Sequence, residues 1–353
     1  MKPSPPHPDK WVKYLQESYD TNTFCNFGPA VVAFQNKLQK YLGSKHPPVV
    51  ACNATAALEV VLLALDLQNT EVLIPTFTFA ATAHSVERAG AVPVFVDSTE
   101  NTWHICLEDA AKKLSPKTRA MVVVNPFGML IDIKGYQDFA KEHGLKLIFD
   151  SAAAFGAVYP NGNRYSEEIE IYSFHVTKTM GIGEGAAIFA PDQKFLQKCL
   201  RTANFGFNDD SLVEYQGTNS KMSDFQAAVG IAKLEELNKS LYLRQNHAGY
   251  YNFRFELKTK KVLVQNNFSL ENHTYPFFPI RYLGDTVHIK QQLKDKQIGF
   301  RQYYQPLHIH PYFSKYSTNS YPIADELAKS VFCLPCYDSL TLTDMNEVTG
   351  IFI

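Results

Sequence analysis

Residues 171–185 read Ile171-Tyr172-Ser173-Phe174-His175-Val176-Thr177-Lys178-Thr179-Met180-Gly181-Ile182-Gly183-Glu184-Gly185. A short apolar run suited to a buried strand ends in serine and histidine, and a single lysine follows. Gly181, Gly183 and Gly185 then alternate with Ile182 and Glu184. A lysine at the mouth of a strand, beside backbone that can pass close to a ligand, suits a Schiff-base nucleophile. Most lysines are only solvated charges. What surrounds Lys178 in the fold decides its part.

Upstream, strands and helices alternate. Val49-Val50-Ala51-Cys52, Glu71 to Pro75, Val92 to Asp97, Ala120 to Val124 and Lys146 to Asp150 read as strands. Helices are expected at 30–42, from Leu58 to Leu65, at 79–89, from Leu107 to Leu114 and from Tyr136 to His143. Val/Ile-rich runs separated by helices indicate a mostly parallel sheet covered on both faces. Such sheets bind ligands at the carboxyl ends of their strands. Asp150, Thr55 and the Ser173–Lys178 stretch all fall at such ends, so they can converge on one crevice.

Asn53-Ala54-Thr55-Ala56-Ala57 joins a strand to an apolar helix. That turn points free N–H groups and a hydroxyl at an anion, most naturally a phosphate, although an ordinary helix cap has the same sequence. Asp150 is followed by Ser151-Ala152-Ala153-Ala154-Phe155-Gly156, where a carboxylate either caps a helix or meets a ligand.

Downstream, Gly185 to Ala190 is a strand, a helix passes through Cys199 and Leu200, and a Gly/Asn/Asp-rich loop spans 204–220. A long helix is expected over 223–240. With 353 residues the chain exceeds the roughly 250–300 that one core usually serves, so two domains are expected, at 1–245 and 246–353. The second would hold strands at 262–264 and 275–280, a helix from Ile289 to Leu293, the aromatic run Tyr303 to Phe313 and a final helix capped by Thr341 and Asp344.

The composition, 45% hydrophobic and 20% charged with net charge −1, provides no general attraction to nucleic acid or an anionic membrane. No apolar run approaches the ~20 residues that span a bilayer. Met1 to Pro8 reads as an extended polar lead-in rather than a signal peptide, and a cytoplasmic location is expected. Six scattered cysteines suit free thiols. Cys333-Leu334-Pro335-Cys336 has redox spacing but lacks a second pair to complete a zinc site, and reads as buried, inert thiols.

Five segments together resemble one family: Asn53 to Ala57, Pro75 to Phe79, Asp150-Ser151-Ala152, Ser173 to Lys178 with Gly183-Glu184-Gly185, and Gly217 to Ser223. In order and spacing they are similar to the DegT-type nucleotide-sugar aminotransferases, pyridoxal 5′-phosphate enzymes of fold type I. The resemblance runs from about Phe27 to Pro335 and implies a three-layer α/β fold. Its larger domain would hold a seven-stranded, mostly parallel sheet, followed by a smaller C-terminal α/β domain.

The resemblance also implies roles. Lys178 would be the Schiff-base and proton-shuttling lysine, and Asp150 would face the pyridinium nitrogen. Phe79 would stack on the cofactor, while Ala54, Thr55, Ala56 and Ser173 would hold its phosphate. Asn219 would reach the phosphate in a neighbouring subunit of a homodimer. His175, Tyr304 and His308 would contact substrate. The implied reaction moves an amino group from L-glutamate to a keto carbon of a nucleotide-linked deoxysugar, first a dTDP-4-keto-6-deoxyhexose, for glycan or O-antigen synthesis. A 3-keto-sugar or GDP-sugar acceptor, and a non-catalytic binding protein of the same fold, are the alternatives.

Three positions depart from the family pattern. Ala153 stands where Gln is common, Phe155 where His is common, and Ala54 replaces the usual glycine of the phosphate turn. The first two are expected to alter the substrate side of the pocket. A dehydratase branch carries histidine in place of the lysine, and Lys178 disfavours it.

Overall fold

The computed structural model describes residues 2–265, 269–317 and 320–353. Its larger sheet has seven strands: β1 (Val49–Ala51), β2 (Glu71–Pro75), β3 (Val92–Val96), β4 (Thr118–Val124), β5 (Lys146–Asp150), β6 (Ile169–Ser173) and β7 (Ala186–Phe189). Their order is β1-β7-β6-β5-β4-β2-β3. Pairing is parallel from β6 through β3, whereas β7 is antiparallel to both β6 and β1. All strands but β7 therefore share one direction. Their carboxyl ends form a single edge.

Alternation along each strand feeds two apolar layers. On β4, Ala120, Val122 and Val124 join one layer, and Met121 and Val123 the other. Helices cover both faces, which is why these strands carry few polar side chains. Before β5 these are α1 (Pro8–Trp11), α2 (Gln16–Asp20), α3 (Pro29–Leu42), α4 (Ala54–Ala64), α5 (Ala80–Arg88), α6 (Leu107–Lys112) and α7 (Lys134–Glu142). After β7 come α8 (Gln193–Ala203) and α9 (Asp224–Lys258). The expected elements of this half are present with shifted ends. The short helices α1 and α2 were not anticipated, because five residues or fewer carry too little periodicity to read.

Helix α9 runs well past the expected end at residue 240. Its buried stripe continues through Leu237, Leu241, Arg244, Ala248, Tyr251 and Phe255, at spacings of three and four. The polar residues between them occupy the outer face, so the pattern is helical throughout. Leu237 and Leu241 pack with the large sheet. Tyr251 and Phe255 pack with a three-stranded antiparallel sheet ordered β10-β9-β8. Its strands are β8 (Val262–Val264), β9 (Phe278–Tyr282) and β10 (Val331–Leu334). The helices α10 (Thr286–Asp295), α11 (Pro322–Ser330) and α12 (Leu342–Phe352) complete this part. Thr341 and Asp344 form the reciprocal cap of α12, as expected. The strand expected at 275–280 begins later, at Phe278; Tyr275 has φ +48°, outside the β region.

One buried cluster ties the middle of α9 to the C-terminal part. Arg244 Nε pairs with Asp338 Oδ1 at 2.8 Å and donates from its η nitrogen to the carbonyls of Cys336 (2.9 Å) and Tyr275 (3.2 Å). Ser240 Oγ donates to Asp338 Oδ2 at 2.7 Å. Burial opposes the Asp338 carboxylate, but Arg244, Ser240 and Lys233 outweigh it and hold its pKa below the usual 3.8. A depressed folded pKa contributes stability above the unfolded value and loses it as pH falls through the folded one. Asp338→Asn is therefore expected to lower the melting temperature at neutral pH, by the equivalent of about 1–3 kcal/mol. It should also flatten the acid side of the stability profile below about pH 4. Thermal melts across pH check both, and parallel acid profiles would refute the assignment.

Among the described residues, no helix is long and apolar enough to cross a membrane.

Candidate active site

The carboxyl edge of the large sheet opens into a cavity of about 730 Å³. At its floor β5 ends in Asp150. The Asp150 carboxylate accepts hydrogen bonds from the Ala152 amide (3.2 Å) and Thr82 Oγ1 (3.3 Å), and Thr82 in turn meets Thr78 Oγ1 at 3.1 Å. Burial pushes the Asp150 pKa up, while the Ala152 amide, Lys178 and Thr82 pull it down; the net shift is upward. Lys178 shows the converse. Burial lowers its pKa and the Asp150 charge raises it, leaving the net shift downward. The two groups thus stabilise one another's ionised forms in a place that favours neither.

The chain places Lys178 by folding back on itself. After Ser173 ends β6, the Phe174 amide donates to Gly185 O and the Val176 amide to Gly183 O, both at 2.8 Å. The Lys178 amide closes a turn onto His175 O, also at 2.8 Å. Gly183 sits at φ +113°, where a side chain is strained, and a Cβ on Gly181 would lie 2.6 Å from Val176 O. The glycines serve the close approach of two backbone segments that fixes the lysine loop. Beside it, Ser173 Oγ accepts from the His175 amide at 3.2 Å, and His175 Nδ1 meets Thr177 Oγ1 at 2.8 Å.

Opposite, β1 leads into α4. Asn53 Oδ1 accepts from the Ala56 amide at 2.9 Å, so the cap reading of Asn53 holds. The first amides of a helix have no carbonyl one turn back. Those of Ala54 and Thr55 therefore remain for a ligand at the cavity wall, with the Thr55 hydroxyl. Because Ala54 is the first residue of an ordinary α-helix, a non-glycine residue fits there without strain.

Ala54, Thr55, Ala56, Phe79, Asp150, Ser173, His175, Lys178, Asn219 and Tyr304 all line this one cavity. Phe79, at the start of α5, is 62% exposed and offers its ring to the opening. Asn219 lies on its own chain's cavity and accepts from Lys221 Nζ at 2.7 Å. The Tyr304 ring stacks on Phe127 at 5.3 Å. His308 lies elsewhere. Its ring bridges Thr76 Oγ1 (2.8 Å) and Asp325 Oδ1 (3.1 Å), packs on Tyr321, and is not among the residues lining the cavity. Phe155 also points away, stacked on Tyr41 at 5.5 Å and set edge-on to Tyr172 and Phe174, so only Ala153 of that pair reaches the pocket.

Sequence reasoning missed Thr78, Thr82, Asn125, Phe127 and Tyr303 as lining residues. Asn125 directly follows β4, and the strand-end rule that selected Asp150 would have selected it too. Its Nδ2 donates to Ser151 Oγ at 2.7 Å, bracing the segment after Asp150. Cys333 and Cys336 are buried free thiols; burial pushes Cys333 well up and Cys336 up to about 12.

The family model described as the DegT/DnrJ/EryC1/StrS aminotransferase family matches residues 8–352. The chain belongs to this family. It is 31% identical over 358 residues to the dTDP-4-amino-4,6-dideoxy-D-glucose transaminase of Escherichia coli, covering 98% of this chain and 94% of that one. It is 28% identical over 352 residues to the GDP-perosamine synthase of Vibrio cholerae, covering 95% and 93%. Among solved structures, DesI in the presence of its TDP-sugar product superposes with a TM-score of 0.90 at 27% identity, covering 99% and 90%. The seven-stranded fold is thus that of pyridoxal-phosphate-dependent aminotransferases.

Proposed function

We propose that this enzyme transfers an amino group from L-glutamate to the 4-keto carbon of a dTDP-linked 6-deoxyhexose. The observation that carries this reading is the convergence of Lys178, Asp150 and the α4 N-terminus on one cavity. Its size, about 730 Å³, lies within the roughly 300–1,000 Å³ of small-molecule sites. The donor set also fits pyridoxal phosphate. The Ala54 and Thr55 amides with the Thr55 and Ser173 hydroxyls suit a phosphate, Asp150 suits a protonated ring nitrogen, Phe79 suits a ring face, and Lys178 suits an aldehyde. When bound, that cofactor supplies an electron sink for the charge that develops at the donor's α-carbon.

The chain's own groups do the rest. Lys178 Nζ, kept toward its neutral form by burial, moves the proton on and off the donor's α-carbon. Asp150, pinned by Thr82 and the Ala152 amide, presents its carboxylate without rearranging. His175 and Tyr304 stand on the wall open to substrate. The dTDP-sugar acceptor is supported by the E. coli relative's name and the DesI structure. A GDP-sugar acceptor is the second reading, favoured by the V. cholerae relative.

A homodimer in the cytoplasm belongs to the same proposal. The loop 204–220 has its base, Thr218 to Ser220, on the cavity, and its tip carries exposed Leu212 and Val213. An apolar tip of this kind suits burial against a second copy.

The test supplies purified protein with pyridoxal phosphate, L-glutamate and a panel of dTDP- and GDP-linked 3-keto and 4-keto sugars. Release of 2-oxoglutarate together with a dTDP-linked 4-amino sugar, formed from the 4-keto acceptor, is expected. Turnover with the GDP panel alone selects the second reading, and no amino transfer to any nucleotide sugar refutes both.

A further inference from the structure

A second, smaller cavity of about 130 Å³ adjoins the first. Thr177, Pro276 and Phe277 line both, and Thr177 immediately precedes Lys178. Its lining includes Lys2, Arg244 and Arg301 but no aspartate or glutamate, in a chain whose basic and acidic residues are nearly equal, 34 to 35. Arg244 is neutralised by Asp338. Lys2 lies 5.0 Å from the Tyr337 ring centre and its charge is felt by Asp344. Arg301 has no carboxylate partner among the described residues; its guanidinium reaches only the Phe300 carbonyl, at 3.4 Å.

The backbone of Arg301 is nonetheless well placed. It exchanges hydrogen bonds with Cys333 at 3.2 and 2.8 Å, which anchors it against β10 two residues before Tyr303 on the large cavity's wall. The result is an anchored backbone carrying an exposed arginine, without a carboxylate partner among the described residues, on the small cavity beside the lysine loop. Space decides what it can take. A water needs roughly 10–15 Å³ by this measure, so 130 Å³ holds several small groups but no sugar nucleotide. A guanidinium binds a carboxylate through two parallel hydrogen bonds, which a lysine cannot reproduce.

We infer that Arg301 binds the side-chain carboxylate of the dicarboxylic amino donor, with Lys2 adding positive charge, so that the small cavity selects the donor and the large one the sugar. This rests on the aminotransferase reading above. It would explain how one enzyme accepts two unlike substrates in turn, because they occupy different walls.

The experiment uses the cofactor-loaded holoenzyme. Glutarate, an unreactive dicarboxylate, is titrated against the wild type, Arg301→Gln and Arg301→Lys, with binding read by calorimetry. The single-turnover reaction with L-glutamate is followed by the cofactor's visible absorption. Arg301→Gln is expected to weaken glutarate and glutamate roughly 10- to 100-fold, with Arg301→Lys between it and the wild type. The preference for L-glutamate over L-alanine should fall by the same factor. Unchanged glutarate affinity and unchanged donor preference in Arg301→Gln would overturn the inference. If instead the wild type's absorption responds to no amino donor, the aminotransferase reading itself has failed.

Discussion

Lys178→Ala is expected to lower turnover by ~10⁴-fold or more, the upper end of what a positioned acid–base group contributes. It should also remove the visible absorption that a lysine-bound cofactor gives. The fold has little reason to suffer. The loop is fixed by backbone hydrogen bonds from Phe174, Val176 and Lys178 and by the close glycine contacts, none of which uses the side chain. Removing an amine whose pKa burial depresses relieves a desolvated group but takes from Asp150 the charge that offsets its own burial, so the two effects oppose and the melting temperature should change little. Amino transfer by this variant at a rate comparable to the wild type would eliminate Lys178 as the shuttle. Retained colour would separately eliminate it as the cofactor's anchor.

Asp150→Asn is the second large effect, expected at ~10²–10³-fold in turnover, the range for one preorganised electrostatic group. The substitution keeps the shape: the Ala152 amide can still donate to Oδ1, while the Thr82 hydroxyl, which faces the other oxygen, must accept from the new Nδ2 instead of donating, and the negative charge is gone. Two readouts follow. The Lys178 pKa should fall further, because Asp150 is the group that raises it against burial. In the cofactor-free protein, the pH dependence of Lys178 labelling by an amine-directed reagent would report that shift. A variant with near-normal turnover and an unmoved pH profile would show that the Asp150 charge is idle.

Much of this site was legible before any coordinates, for a physical reason. In a sheet whose strands run together, the residue after each strand must lie at one edge. Strand ends put Asp150, Ser173 and the Asn53 turn on that edge, and would have put Asn125 there too; the roles expected of them came from the family resemblance. The long reach of α9 was missed because polar residues obscured a buried stripe that spans both packed clusters. The placement of Phe155 and His308 was beyond the same reasoning, since which way a side chain turns depends on neighbours distant in sequence. Phe155 finds Tyr41 and Tyr172, and His308 finds Thr76 and Asp325.

The sequence by itself determined the alternation of strands and helices, the lysine between serine and the glycines, and the family. Those features depend on local spacing, and local spacing is written in the chain. Only the tertiary structure decided that the glycines between Gly181 and Gly185 close a loop around Lys178, and that Arg301 lines the cavity beside it with no carboxylate partner among the described residues. The second follows from packing between segments more than a hundred residues apart, while the first closes between residues of one short stretch whose backbone path spacing alone does not give. The charge environment of Lys178 was settled in the same way, by Asp150 on the neighbouring strand and by the surrounding protein that keeps water from both.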